Sequence, residues 1–286
     1  MTLTVTEGLT RLSAATLVPG PRVSVTQAGG VVARLRRALS WSHEQLPRFI
    51  DEPGVYEQVA LTRAEILDRR SALHVWTDAV VDLTDLAEVS LTLRQRAHAA
   101  FVVRRLAQLV AGGWDLNRGV RVLVAPNVLT QTRLLDLDQN DWCRWVALRT
   151  SIVAAHHLRA PHICQRIVDL LPGLPATTTE IVELVILPHL VATAQMKDLT
   201  TVDLPSAGWI QAHHGSLEQA EYQLIASGLT QSDSRLLHAF AQARAFADEA
   251  VAEGAVGHLF SSPDTLPTAA EYADPAAWLA RVTSRV

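Results

Sequence analysis

The sequence predicts a mainly α-helical fold with at most a small, minor β element. Hydrophobic residues make up 49% of the 286-residue chain and recur at helical spacing along most of it, which suffices for a sizeable core. One segment, Val120 to Val124, alternates and ends in a turn signal as a strand does. No internal repeat or low-complexity linker divides the chain. We therefore predict a polar lead-in over residues 1–22 and a single helical domain over 23–286.

The first half is predicted to be helical from Ser24 onwards. Ser24 and Thr26 are residue types that cap helices, and the apolar positions that follow, Val31, Val32, Leu35 and Leu39, share one helical face. Further helices are predicted at about residues 57–69, 73–82 and 90–111. Gly112 and Gly113 are expected to end the last of these.

The predicted strand at Val120 to Val124 stops at Pro126-Asn127, and helical spacing then resumes. Helices are predicted at about residues 138–158, 161–171, 177–197, 216–227 and 231–253. The tail contains two further helix starts led by proline. These assignments describe long amphipathic helices of one bundle.

Composition excludes several function classes. The net charge of -4, from 29 acidic and 25 basic residues, gives no overall attraction to nucleic acid or anionic membranes. Two cysteines, Cys143 and Cys164, are too few for a disulfide framework, so a reduced cytoplasmic protein is expected. The apolar stretch near Leu184 to Met196 is interrupted by Pro188 and is too short for a membrane span. A protein partner or a second copy of the chain stays open.

Three motifs, in order and spacing, resemble a known family: the Pro126-Asn127 step after the strand, Trp145-Val146-Ala147-Leu148 in the next helix, and Pro161 after it. Together with the tail, they resemble the actinobacterial zincin-like proteins, described as zinc-dependent metalloproteases or as associated with deazaflavin-coenzyme biosynthesis. The resemblance covers most of the chain. It implies a zincin-like multi-helix domain.

The catalytic motif of that family is absent. H-E-x-x-H places two imidazoles one helical turn apart on one zinc ion, with the glutamate as general base. Arg149, Thr150 and Val153 stand at the first His, the Glu and the second His. Arginine has no lone pair to offer a metal, threonine is no base, and valine has no donor atom. The sequence therefore predicts no catalytic residue, no bound zinc and no other cofactor.

A relocated metal site is the alternative that the histidines leave open. Leu187-Pro188-His189 stand where the family carries a Glu-Gly-His step, and His156 and His157 follow the lost motif by one turn. Adjacent residues of a helix point about 100° apart, which argues against His156 and His157 sharing one ion. His213-His214-Gly215 is interpreted as a turn. His43-Glu44 lacks the second histidine, since Pro47 occupies its place.

Arg149 carries a separate hypothesis because Trp145, Ile152, Val153 and His156 lie near it on one helical face. A buried guanidinium could pair with Glu180 or Glu183 on a later helix, in place of the lost cation. Equally, the side chain could extend along that face to solvent.

Together these residues favour a catalytically inactive zincin-like protein with a binding or structural role. Two alternatives remain: a metal-dependent hydrolase or peptidase that uses a relocated site at His156, His157 or His189, and a partner subunit of an active paralogue. Bound metal would separate the first alternative from the favoured hypothesis.

Overall fold

The computed structural model describes Gly8 and residues 13–174, 176–215 and 233–284. Helices dominate, and a small three-stranded sheet is the minor β element, which confirms the predicted fold class. The predicted helix at 216–227 and the start of the one at 231–253 lie outside the described residues.

The first half contains the described three-stranded sheet, a helical turn at residues 13–15 and six longer helices. The helices are α1 Val25–Gln45, α2 Pro53–Leu61, α3 Arg69–Leu86, α4 Leu93–Leu109, α5 Ala125–Leu134 and α6 Gln139–Arg159. The strands are β1 Ala64–Leu67, β2 Gly112–Asp115 and β3 Val120–Val124.

In the second half, the described residues form helices joined by turns and irregular segments, without a strand. Its helices are α7 His162–Leu170, α8 Thr178–Gln195, α9 at residues 207–215, α10 Asp233–Ala252, α11 Val256–Leu259, α12 Ala269–Ala273 and α13 Pro275–Thr283. Short 3-10 turns occupy Leu46–Arg48, Leu171–Gly173, Met196–Asp198 and Pro263–Thr265.

Side-chain caps fix where the long helices begin. The Ser24 hydroxyl accepts a hydrogen bond from the Gln27 backbone amide, and the Gln27 side-chain oxygen accepts one from the Ser24 backbone amide. This capping box confirms Ser24 as the start of α1. Asp138 accepts from the backbone amides of Asn140 and Asp141 at the start of α6.

The predicted helix over 57–69 is wrong in its second half. Helix α2 ends at Leu61, and Ala64–Leu67 pairs with β3 as a parallel strand. Gly112 and Gly113, expected to end a helix, begin β2, which runs antiparallel to β3. Both segments are only four residues long, so alternation could not reveal them, and pairing with β3 decides their conformation.

The sheet has the order β1-β3-β2, so β2 is an edge strand. It lies between α6 and α3, and successive residues face opposite helices. A Cβ at Gly112 would lie 2.3 Å from Thr150 Oγ1 of α6, and one at Gly113 would lie 2.9 Å from Trp76 of α3. Because both approaches leave no room for a side chain, glycine is required at both positions.

The Pro126-Asn127 step has a structural role. Pro126 stands in the first turn of α5, where a missing N–H costs nothing. The Asn127 amide donates to the carbonyl oxygens of Ala107 and Val110 at the end of α4, at 3.0 and 2.8 Å, and its oxygen accepts from Arg69 Nε at 2.7 Å. This buried side chain therefore joins α3, α4 and α5.

Two large apolar clusters form the core. In the first, α1 and α2 pack against α6; in the second, α7 and α8 pack against α10 and the C-terminal helices. Residues 13–19, the end of the predicted lead-in, pack on α3 and α4, and Ser13 Oγ donates to the Ala100 carbonyl at 2.9 Å. The division at residue 22 stays a prediction.

One described helical stretch, Thr178–Asp198, is long and apolar enough to cross a membrane by length and composition. Within its most apolar window, 72% of the residues are buried in the protein. A core helix meets the same criteria.

Candidate functional site

A largely apolar cavity of about 300 Å³ opens between the two halves of the protein. Helices α3 and α4 form one wall, α7, α8 and α10 form the other, and β2 and α6 form the floor. The apolar lining includes Trp76, Val80, Leu83, Val102, Leu106, Trp114, Ile167, Ile186, Leu190 and Phe240. Arg149, His157 and His189 are the ionisable residues among its described lining, which contains no carboxylate. Such a cavity has the size and composition of a small-molecule site.

Arg149 lies on α6 at the floor of the cavity and is 9% exposed. Its Nε donates to Thr193 Oγ1 at 3.0 Å, and Thr193 Oγ1 donates to the His189 carbonyl oxygen at 2.9 Å. The guanidinium has further interactions besides this bond. Arg149 is therefore tied to the helical turn that carries His189.

The predicted pairing of Arg149 with Glu180 or Glu183 is wrong. Glu180 accepts from Arg166 at 2.6 Å on the protein surface. Glu183 is buried elsewhere, where burial and then the charge of Glu180 raise its carboxyl pKa to about 7. Helix α8 turns both carboxylates away from the face that meets α6.

Thr150 and Val153, which the resemblance aligns with the other two positions of the zinc motif, are packed inside the protein. The Thr150 hydroxyl faces Gly112 of β2, and Val153 is fully buried in the first apolar cluster. Neither the residue types nor their surroundings fit a zinc site of the H-E-x-x-H kind, because two ligand positions lack a donor for the metal and the base is missing.

The structure brings His157 and His189 together at the cavity. Burial lowers the His157 pKa to about 4. Burial, the Arg149 charge and the two other histidines hold the His189 pKa well below its usual range. Both rings are therefore neutral at pH 7 and act as hydrogen-bonding groups.

His156 lies away from this cavity, although it is the neighbour of His157 in sequence. Its ring stacks on Phe260 with centroids 4.5 Å apart, and Nε2 bonds to Gln195 Oε1 at 2.9 Å. Gln195 uses its amide group to donate to the Phe49 carbonyl, so its oxygen accepts and His156 Nε2 carries the proton. Of the alternative metal ligands His156, His157 and His189, the structure therefore places only His157 and His189 at the same cavity. Within the described ranges, no three His, Cys, Asp or Glu residues group as metal ligands would.

A second, much smaller chamber of about 20 Å³ adjoins Arg149 and Thr150. Four of its lining residues carry a buried polar atom with no hydrogen-bond partner in the described structure: Gln131 Oε1, Trp142 Nε1, Trp145 Nε1 and His214 Nδ1. The chamber has room for about one water molecule, which could bond to several of these atoms.

Sequence reasoning missed the residues that other helices bring to the site. Trp76 and Gly113 line the cavity, and His214 packs against Trp142 and Trp145, with ring centroids 6.0 and 5.5 Å apart. The prediction of a turn at His213-His214-Gly215 is wrong, since these residues lie in α9. The Gly112-Gly113 pair directly before a tryptophan was a usable signal of close backbone packing.

No protein-family model matches the sequence, and no curated protein is significantly similar to it. A crystal structure from Chloroflexus aurantiacus, described as a putative hydrolase with a novel fold, has a similar fold. The TM-score is 0.60 at 19% sequence identity, over 98% of this chain and 97% of that chain. The likeness extends along nearly the whole of both chains and concerns the fold alone.

Proposed function

We propose that this protein is a catalytically inactive, zincin-like binding protein that takes an apolar small molecule into the cavity between its two halves, without a metal ion. One observation carries the proposal: the cavity is apolar on its walls, and its floor holds Arg149. In the zincin-like family that the sequence resembles, a zinc ligand is expected at this position. Burial of apolar ligand surface would provide most of the binding free energy.

The replaced motif supports the inactive part of the proposal. A zinc peptidase needs a bound metal, a metal-activated water and a base beside it. Arg149 places a permanent positive charge where the cation would bind, and this charge would repel zinc. Neutral His157 and His189 then serve to hydrogen-bond a ligand.

Binding is tested with a neutral apolar compound of the right size. At about 30 Å³ per water-sized volume, the cavity takes roughly ten non-hydrogen atoms, and naphthalene has that number. At saturating concentration, naphthalene is expected to raise the Tm of the wild-type protein by roughly 5 °C.

Two tryptophan substitutions provide the matched comparison. Val80→Trp fills the cavity, whereas Val202→Trp adds the same side chain at a position that is 92% exposed and outside the cavity lining. Naphthalene should stabilise Val202→Trp as it does the wild type and should fail to stabilise Val80→Trp. If Val80→Trp does not fold, Ala79→Phe replaces it. Equal stabilisation of both variants, or none of the wild type, would reject the proposal.

A hydrolase is the second candidate. It is favoured by the similarity to the Chloroflexus protein described as a putative hydrolase and by two histidines facing one cavity. Hydrolysis of chromogenic esters or peptides that is lost in both His157→Ala and His189→Ala would establish it. Activity that persists in both variants comes from a contaminant or from another site.

A further inference from the structure

We propose that the apolar ligand carries one neutral hydroxyl group, as an alcohol or a phenol does, and that this group hydrogen-bonds to His157 and His189 in the cavity. The inference rests on the proposed binding function and deepens it, since it names the ligand class and the residues that select it.

Both histidine rings lie where a ligand in the cavity can reach them. His157 is near the end of α6 and His189 is in α8, and both line the cavity. His157 is among the groups that lower the pKa of His189, after burial and the charge of Arg149, so the two rings lie within range of each other's charge. Two hydrogen-bonding side chains from different helices therefore meet beside the apolar walls.

The described part of the chain leaves the hydrogen-bonding capacity of these two rings unused. Both residues are partly buried, and their side chains form no hydrogen bond within the described ranges. His162 Nε2 and His214 Nδ1 also lack a partner there but are enclosed by protein, whereas no nitrogen of His157 or His189 is enclosed in this way. The ring nitrogens of His157 and His189 are therefore accessible to a molecule in the cavity.

The kind of hydrogen bond that the rings can form selects the ligand group. Burial keeps both rings neutral at pH 7 by lowering their pKa, and a neutral imidazole offers one N–H donor and one acceptor nitrogen. A hydrocarbon would displace water from these atoms and leave them without a partner, which costs free energy. A hydroxyl group can accept from one ring and donate to the other, whereas an ether or a ketone only accepts and an ammonium group only donates.

Arg149 has an indirect role in this arrangement. It is bonded to Thr193 and has further interactions, so the ligand is not assigned to its guanidinium. After burial, its positive charge is the next cause that holds the pKa of His189 well below the usual range, and it thus favours the neutral ring. The hydrogen bonds of the ligand are therefore assigned to the two histidines.

Calorimetric titration with compounds of matched shape tests the hydroxyl group. 2-Naphthol and 2-methylnaphthalene have the same number of non-hydrogen atoms and differ in a hydroxyl against a methyl group. 2-Naphthol is expected to bind roughly tenfold more tightly, or better. Equal affinities would reject the hydroxyl inference and leave the apolar binding function standing. If neither compound binds, and naphthalene also fails, the proposed function itself is wrong.

Two related compounds test whether the group must donate and must be neutral. 2-Methoxynaphthalene accepts hydrogen bonds without donating any, and 2-naphthoate is anionic at pH 7. Both are expected to bind more weakly than 2-naphthol. Equal or tighter binding of 2-methoxynaphthalene would make the ligand an acceptor only, and tighter binding of 2-naphthoate would make it an anion. Either result would overturn the inference.

His157→Leu and His189→Leu test the two selecting residues. In each variant the preference for 2-naphthol over 2-methylnaphthalene should fall several-fold, while the binding of 2-methylnaphthalene is retained. His98→Leu, at an exposed histidine outside the cavity lining, should keep the wild-type preference. If a leucine variant does not fold, methionine replaces leucine at that position. A preference that is unchanged in both folded variants would show that the histidines do not hold the hydroxyl group.

Discussion

His156 is buried between Phe260 and Gln195, and burial lowers its pKa to about 3, despite the hydrogen bond from Nε2. The unfolded chain takes up a proton at this ring near pH 6.5, whereas the folded protein does not. Protonation therefore favours unfolding. The contribution of neutral His156 to the free energy of unfolding is fully present above pH 6.5 and is lost as the pH falls towards 3.

We expect His156 alone to lower the free energy of unfolding by about 2 kcal/mol between pH 7 and pH 5. In His156→Phe the loss over this interval should be smaller by that amount, whatever the variant's stability at pH 7. His98→Phe, at an exposed histidine, is the control and should follow the wild type. Urea unfolding at each pH measures this difference. If the free energy of unfolding falls equally between pH 7 and pH 5 in all three proteins, His156 is not the group responsible.

Glu183 has the opposite effect on stability. Its side chain is buried near Tyr272, and Glu183 Oε2 and Tyr272 Oη have no hydrogen-bond partner in the described part of the chain. With its pKa raised to about 7, mainly by burial, the folded protein keeps the proton that the unfolded chain releases near pH 4.5. Stability is therefore lost as the pH rises from 4.5 to 7.

Glu183→Gln is expected to raise the free energy of unfolding by about 3 kcal/mol at pH 8 and to have little effect at pH 4.5. Glu180→Gln, three residues earlier on the same helix, replaces an exposed, ion-paired carboxylate and should change stability by less than about 1 kcal/mol. Thermal unfolding at both pH values provides the test. A Glu183→Gln protein that is less stable than the wild type at pH 8 would contradict it.

At the scale of elements, close packing of β2 explains the Gly112-Gly113 pair. Alanine at either position would require the side chain of Thr150 on α6 or of Trp76 on α3 to shift, since the added Cβ would lie within 3 Å of it. We expect Gly112→Ala to destabilise the protein by about 1–3 kcal/mol.

Two further variants make this explanation specific. Gly29→Ala, inside α1 with no atom within 4 Å of the new Cβ, should be stabilising by about 0.5–1 kcal/mol. In Gly112→Ala/Thr150→Ala the hydroxyl that meets the new Cβ is gone, so part of the lost stability should return. Denaturant unfolding of the wild type and the three variants measures these differences. A double variant that is no more stable than Gly112→Ala would show that the Thr150 side chain does not cause the loss of stability.

Element by element, the sequence predicted what local patterns encode. Long helices with strong caps, such as α1 after Ser24, were identified because their hydrophobic pattern repeats over several helical turns. Strand β3 was identified because its residues alternate along its whole length. Strands β1 and β2 were missed, since each depends on pairing with β3. Tertiary contacts determine their conformation, and no local signal announces them.

At the scale of the whole molecule, the site also depends on tertiary contacts that the sequence pattern does not reveal. On the basis of the family resemblance, the sequence alone predicted that Arg149, Thr150 and Val153 take the place of a zinc motif, and this stays a prediction. The cavity could not be predicted, because Trp76 and Phe240 lie more than 160 residues apart in the sequence and line one cavity with Arg149 only in the folded protein. His43, interpreted as incidental, lies 2.7 Å from the buried guanidinium of Arg121, a contact that only the fold creates.

The zinc content of the purified protein decides whether the cavity binds its ligand without a metal. Elemental mass spectrometry is performed on the tag-free protein after exposure to zinc and dialysis against metal-free buffer. We expect far less than one zinc per chain, with the same value in His157→Ala and His189→Ala. About one zinc per chain, lost in either variant, would contradict it and would establish a relocated metal site.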